Sequence, residues 1–191
     1  MKVVLPELAK PLVPALPSNP EIAWYGDIHS CLAAMPGAEV VWVHMSAEDM
    51  GRVIRAGTDL KWMTTAGAGM DGVPLDLLRE RNVVLTNGSG VGAIPISEHV
   101  VMALLAGLKG LPELLHAQDR HEWLEGPPTD DEVYGKRALI YGYGGIGRAI
   151  ADRLRSFGVT VTGVRLHPAG EAGVITAEGW EAPLPATDLL I

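Results

Sequence analysis

The sequence predicts an α/β protein of two doubly wound parallel-sheet units, the first flavodoxin-like and the second Rossmann-like, with the second incomplete. Three observations carry this expectation. Short β-rich runs alternate with helical stretches along the whole chain, the pattern of helices crossing between parallel strands. Several runs are almost continuously apolar, as strands covered on both faces are. One of them, Arg137-Ala138-Leu139-Ile140, leads through a glycine-rich turn, Tyr141-Gly142-Tyr143-Gly144-Gly145-Ile146-Gly147, into the helical stretch 149–154.

The strands are expected at residues 2–5, 22–25, 39–44, 60–65, 82–86, 136–141, 159–164 and 188–191. Ser46 caps a helix running through Met50, Val53 and Ile54. Residues 75–80 form a short helix closed by Arg81 and Asn82. Pro95 stands in the first turn of a long helix whose buried side carries Val100, Val101, Leu104, Leu105 and Leu108. Gly110 and Pro112 bend or break it near its far end. Residues 122–133, with Gly126-Pro127-Pro128 and several acids, read as an exposed loop. The first unit is placed at residues 1–94 and the second at 95–191.

Composition bounds the function. Hydrophobic residues make up 48% of the 191, enough for a buried core. The net charge is −8. Phosphate backbones need clustered Lys and Arg, so no nucleic-acid partner is expected. The single cysteine, Cys31, cannot form an internal disulfide and suits a reducing compartment. The N-terminal residues lack a signal-peptide core, and the longest apolar run, 94–108, is interrupted by Glu98 and His99. A cytoplasmic protein with no membrane partner is expected. His116, Asp119, His121 and Glu122 do not put both histidines on one helical face at i, i+4, so no metal site is expected.

The glycine turn is the feature that bears chemistry. Gly142 permits the tight turn leaving the strand. Gly144 lets main chain approach a pyrophosphate without a Cβ in the way. Gly147 lets the helix pack closely on the strand. The helix N-terminus then offers free N–H groups and a positive dipole end to phosphates. Tyr143, Gly145 and Ile146 complete the candidate cofactor-binding stretch, although Tyr143 reads as a packing side chain. The alternative is a purely structural turn. About 20 residues on, an acid would bind the adenosine ribose hydroxyls. Here Arg165 stands in that place, with His167 close behind it. A guanidinium there can bind a 2′-phosphate, which argues for NADP over NAD. The alternative is a solvated Arg165 with NAD still accepted.

With the turn in place, the chain from Leu60 onward resembles the D-isomer-specific 2-hydroxyacid dehydrogenase family. Four segments carry the resemblance. They are Leu60-Lys61-Trp62-Met63 with Ala66-Gly67-Ala68-Gly69-Met70-Asp71; Val83-Val84-Leu85-Thr86-Asn87 with Gly90-Val91 and Ser97-Glu98-His99; Tyr134-Gly135-Lys136; and residues 142–158. The resemblance implies two α/β domains, the first binding substrate and the second NAD(P). It implies hydride transfer between nicotinamide C4 and C2 of a small D-2-hydroxy acid or 2-keto acid. By the same resemblance the N–H groups near Ala68 and Gly69 hold the substrate carboxylate, and Val91 lies beside nicotinamide or substrate. A turn needing flexible φ is the alternative for 66–71. Gly92 stands where the family often has a hydroxyl residue. His99 reads as structural or as a hydrogen bonder of the helix start, and Asp71 and Asn87 as residues that bond loop backbone.

The family's catalytic arginine, glutamate and histidine lie beyond the segments matched here, so no residue of this chain is assigned a catalytic role. The expectation is a chain truncated within the cofactor domain and inactive alone. The alternative is a non-catalytic nucleotide-binding or sensing module of the same fold. The resemblance also implies a homodimer formed through the cofactor domain.

Overall fold

Five runs of β-branched and apolar residues pair in parallel to make the first sheet: β1 (Lys2–Pro6), β2 (Glu21–Tyr25), β3 (Ala38–Val43), β4 (Trp62–Thr65) and β5 (Val84–Thr86). The structure, a computed structural model, describes residues 1–13, 20–168 and 170–191. The strand order is β2-β1-β3-β4-β5, which is the flavodoxin-like order. Lys2 faces Glu21 and Pro6 faces Tyr25 across the first pair; Val40 faces Trp62 and Val43 faces Thr65 across the third. Three helices link successive strands: α1 (Ile28–Ala34), α2 (Ala47–Ala56) and α3 (Leu75–Glu80).

Helix α2 shows why they dock. Met50, Val53 and Ile54 recur at helical spacing and are buried. They share one core with Val4, Val41, Val43 and Met63 of the sheet and with Cys31 and Met35 around α1. Each such side chain contributes about 1.5–3 kcal/mol on full burial. Ser46 Oγ accepts the Asp49 N–H at 3.2 Å and caps α2 as the sequence implied. Helix α1 was not read from the sequence. Only Cys31 of its seven residues is fully buried, although Ile28, Cys31 and Leu32 recur at helical spacing toward the core. Its signal is the capping box of Asp27 and Ser30, in which Asp27 Oδ1 accepts the Ser30 N–H at 2.8 Å and Ser30 Oγ accepts the Asp27 N–H at 3.1 Å. Strand β5 starts at Val84, not at Asn82. Asn82 takes φ 55 to turn the chain after α3, and a left-handed residue cannot join a ladder.

The second sheet contains β6 (Arg137–Tyr141), β7 (Thr160–Arg165), β8 (Val174–Thr176) and β9 (Leu189–Leu190), in the order β8-β7-β6-β9 and parallel throughout. Numbered within this unit, the order is 3-2-1-4, as in the opening of a Rossmann sheet. Helices α4 (Ala93–Leu108), α5 (Leu111–Asp119) and α6 (Gly145–Ser156) accompany it. Ile150, Ala151 and Leu154 of α6 meet Ala138, Ile140 and Val161 of the sheet, with Val101 of α4 in the same core. The long helix breaks as expected. Gly110 takes φ 63, Pro112 occupies the first turn of α5, and α5 leaves α4 at 69°. Strand β8 was missed because three residues show no period.

The described chain divides into Met1–Ser89 and Gly90–Ile191, whereas the sequence placed the division after Ile94. No single helix among the described residues is long and apolar enough to cross a membrane.

Candidate functional site

Beyond Tyr141 the backbone reverses into α6 within four residues. Gly142 takes φ 110, a region that an L side chain rarely enters. The Gly144 N–H donates to Gly142 O at 2.9 Å and closes the turn. The N–H groups of Gly142 and Tyr143 both donate to Val164 O, at 3.1 and 2.8 Å, tying the turn to the end of β7. A Cβ on Gly147 would overlap the carbonyl of Gly142 and stand 3.2 Å from Ile140 Cγ2. Helix α6 therefore approaches β6 this closely only because residue 147 is glycine.

Gly144 differs. A Cβ built there meets nothing within 4 Å, so its Cα faces open space. Among the described residues no side chain caps the start of α6, in contrast to α1 and α2. The N–H groups of Gly145, Ile146 and Gly147 precede the first intrahelical bond, which is made by Arg148 to Gly144 O at 3.0 Å, and are left for an external acceptor. With the helix dipole behind them they form a cradle for an anion. A diphosphate fits this cradle, because among the described residues no atom stands within 4 Å of a Cβ built at Gly144.

A cavity of about 470 Å³ opens beside the turn, lined by Tyr141, Gly142, Tyr143, Gly144, Val164, Arg165, Leu166 and Ala177. Gly142, Tyr143, Gly144 and Arg165 are thus brought to one place. Gly145, Ile146 and Gly147 form the first turn of α6, while His167 is exposed and lies outside the lining. The Tyr143 side chain is buried and belongs to the core of this unit. Its hydroxyl accepts from Arg155 Nη2 at 3.1 Å, and the Arg148 guanidinium stands 5.3 Å from its ring centroid. Gly163 makes room for that ring; a Cβ there would overlap it. Sequence reasoning missed Gly163, yet a glycine inside the run 159–164 is the usual mark of close approach. It also missed the pair of Arg148 with Glu171, described below, for which the sequence holds no local signal.

In the first unit, the loop after β4 is held by its neighbour. The Gly88 N–H donates to Gly67 O at 3.1 Å, and Asn87 Nδ2 donates to Ala68 O at 2.8 Å. A Cβ on Gly88 would overlap Ala66 O. Ala68 and Gly69 are exposed, and their N–H groups donate to no acceptor among the described residues. Asn87 bonds its loop as expected, whereas Asp71 makes no side-chain hydrogen bond among the described residues. Val91 is exposed at the start of the second unit. His99 is exposed and bonds no neighbour among the described residues; Ser97 is the hydrogen bonder of this helix start, donating to Ile94 O at 2.7 Å. Among the described residues no three His, Cys, Asp or Glu gather as a metal site.

Strand order and glycine turn together give the second unit the architecture of a Rossmann-like α/β unit. Residues 101–191 match the family model described as the NAD binding domain of D-isomer specific 2-hydroxyacid dehydrogenase. The second unit is thus similar to the nucleotide domain of that family, whose model is described as NAD binding. The chain is 29% identical over 161 residues to the D-3-phosphoglycerate dehydrogenase of Mycobacterium tuberculosis strain H37Rv, covering 83% of this chain and 30% of the relative. Its fold superposes on a D-isomer specific 2-hydroxyacid dehydrogenase family protein from Aeromonas salmonicida with a TM-score of 0.76 at 24% identity, covering 99% of this chain and 62% of that one. It also superposes on an NADPH-dependent glyoxylate/hydroxypyruvate reductase from Sinorhizobium meliloti with a TM-score of 0.75 at 24% identity, with the same coverage. The chain thus spans about a third of the length of its mycobacterial relative and under two thirds of the solved structures.

Proposed function

We propose that this chain is part of an oxidoreductase that moves a hydride between NAD(P) and a small D-2-hydroxy acid or its 2-keto acid. The observation that carries this is the uncapped start of α6 behind Gly144, open to a diphosphate. The bound nucleotide supplies the hydride chemistry. The chain's own part is to hold the diphosphate on the N–H groups of Gly145, Ile146 and Gly147, and the adenosine end at Arg165 and His167. Arg165 favours NADP, because a guanidinium at the end of β7 pairs with a 2′-phosphate. In the unit Met1–Ser89, read as the substrate domain, the exposed N–H groups of Ala68 and Gly69 suit a carboxylate. Val91 contributes apolar surface to the substrate or the nicotinamide.

The relatives name phosphoglycerate, glyoxylate and hydroxypyruvate, and these are the first substrates to try. NADPH and NADH are titrated against the protein, and absorbance at the reduced nicotinamide band is followed with each acid. Saturable binding of a reduced cofactor supports the reading, and absence of binding ends it. A second reading is nucleotide binding without turnover, as in a sensing module of the same fold. Binding with no turnover on any acid selects it. A cytoplasmic location fits both readings. We further infer a homodimer through an apolar hollow of about 710 Å³ on α4, α5 and α6, lined chiefly by Val101, Met102, Leu105, Leu114 and Phe157. Light scattering on the eluted protein tests it; a monomer mass excludes it.

A further inference from the structure

Strand β7 ends at Arg165 and β8 begins at Val174, so residues 166–173 alone join two parallel neighbours. Such connections ordinarily need about a dozen residues or more and contain a helix. Here the described residues contain none, and side chains must hold what a helix would otherwise fix. One pair does so. Arg148 and Glu171 form a two-pronged salt bridge, Nη1 to Oε1 and Nη2 to Oε2, each at 2.5 Å. Arg148 belongs to the first turns of α6, beside the phosphate cradle. Glu171 belongs to the connection, where its N–H donates to Pro168 O at 3.1 Å and its carbonyl accepts the Val174 N–H at 3.1 Å. The carboxylate therefore ties the helix start to a turn that begins one residue beyond His167. The guanidinium also stands over the Tyr143 ring.

We propose that Glu171 is a positioning residue for cofactor selection. Its pair with Arg148 holds the 166–173 connection so that Arg165 and His167 receive a 2′-phosphate. This rests on the dinucleotide reading above. Two effects follow from breaking the pair. A loosened connection no longer presents Arg165 and His167 in a fixed geometry, and only the nucleotide that bears the 2′-phosphate loses by that. Removing Arg148 alone also leaves a bare carboxylate close to where the phosphate binds, which repels it. An exposed ion pair normally contributes little. This one has the forked geometry that makes such pairs specific.

NADPH and NADH are titrated by quenching of tryptophan fluorescence against the wild type, Glu171→Gln, Arg148→Gln and the double variant. The expected result is a preference for NADPH in the wild type that falls about tenfold in each single variant, the equivalent of one weakened charge-assisted contact. The fall arises from NADPH, with NADH affinity held within about twofold. The double variant is no worse than the poorer single one, because the two side chains act as one unit. An unchanged ratio in a variant of native circular dichroism overturns the proposal. So does an equal loss for both nucleotides, which marks a merely structural role. Should Glu171→Gln fail to fold, Arg148→Lys keeps the cation, loses the fork, and is scored by the same ratio. A wild type that binds both nucleotides equally also overturns the proposal. A wild type that binds neither defeats the dinucleotide reading, and this proposal falls with it.

Discussion

The phenol ring of Tyr143 lies against the bare Cα of Gly163, in space that a Cβ at residue 163 would occupy. The ring belongs to the glycine turn and the Cα to β7, so this contact sets how the turn meets the sheet. Gly163 also donates its N–H to Gly173 O at 2.9 Å. Gly163→Val drives the ring out of its place, and overpacking of this kind costs about 1–3 kcal/mol. Thermal unfolding followed by circular dichroism is expected to show a lower Tm for the variant, with weaker cofactor binding as a consequence. A variant as stable as the wild type would mean that the ring has another place to go.

Gly144 and Gly147 separate binding from folding. Among the described residues nothing stands within 4 Å of a Cβ at Gly144, and its backbone is extended, with φ of −92 and ψ of −153. Gly144→Val should therefore leave stability within about 0.5 kcal/mol of the wild type. Its branched side chain fills the cradle, and affinity for NADPH or NADH falls at least about a hundredfold as charge-assisted bonds to the diphosphate are lost. Gly147→Ala is the converse, since its Cβ overlaps Gly142 O and stability falls first. Urea denaturation and cofactor titration of both variants check the contrast. Undiminished binding by Gly144→Val removes the diphosphate from this cradle.

Much of this fold is legible in the chain because its signals are local. The apolar runs gave eight of the strands near their observed places, and Ser46, Pro95 and Gly110 marked helix ends by their own chemistry. The turn from Gly142 to Gly147 was readable because each glycine answers a separate steric demand of one short segment. The remainder depends on partners distant in sequence. Glu171 is unremarkable until the fold brings it to Arg148, and Gly163 until Tyr143 packs upon it. Strand β8 exists because Gly163, Val164 and Arg165 offer a ladder to Val174, Ile175 and Thr176, which no three-residue pattern announces. Helix α1 was legible in principle, through its capping box and through Ile28, Cys31 and Leu32 at helical spacing.

Arg165 stands at the end of β7 on the edge of the cavity. Arg165→Asp removes a partner for a 2′-phosphate and adds a charge that repels it. The ratio of NADPH to NADH affinity is expected to shift toward NADH by about tenfold to a hundredfold, one charge-assisted contact being lost. Titration of both reduced cofactors reads this directly. An unaltered ratio would place Arg165 in solvent, with the adenosine end bound elsewhere.

Asp27 couples the first unit to acid. Its carboxylate accepts from the side chain and the N–H of Ser30, and these bonds hold its pKa below the ordinary 3.8. A lowered folded-state pKa means that the unfolded chain takes up the proton first. The stabilisation is thus present above 3.8 and is lost as pH falls through the lowered value. Asp27→Asn keeps a capping oxygen but cannot titrate. Urea midpoints measured at about pH 6 and about pH 3 should fall less in the variant than in the wild type. Equal falls would show that the capping box carries none of the pH dependence.

Cys31 gives a probe of the first unit that needs no label. The thiol is fully buried beside Met35 in the core under α1, and burial pushes its pKa from 9.0 up to about 11. The nucleophile is the thiolate, so at about pH 8 the folded protein offers only about one part in a thousand of it, behind a closed core. Unfolding restores an ordinary, accessible thiol, and alkylation by iodoacetamide should accelerate at least about a hundredfold. The same shift sets a limit at high pH. The folded state holds its proton to about 11 while the unfolded thiol loses its own near 9.0, so stability persists below 9.0 and declines between the two values. Labelling rates across a urea series at fixed pH therefore report the opening of the unit Met1–Ser89. If the native protein alkylates as fast as the unfolded chain, the core around Cys31 is open and the packing of α1 against β2 and α2 is not what holds this unit together.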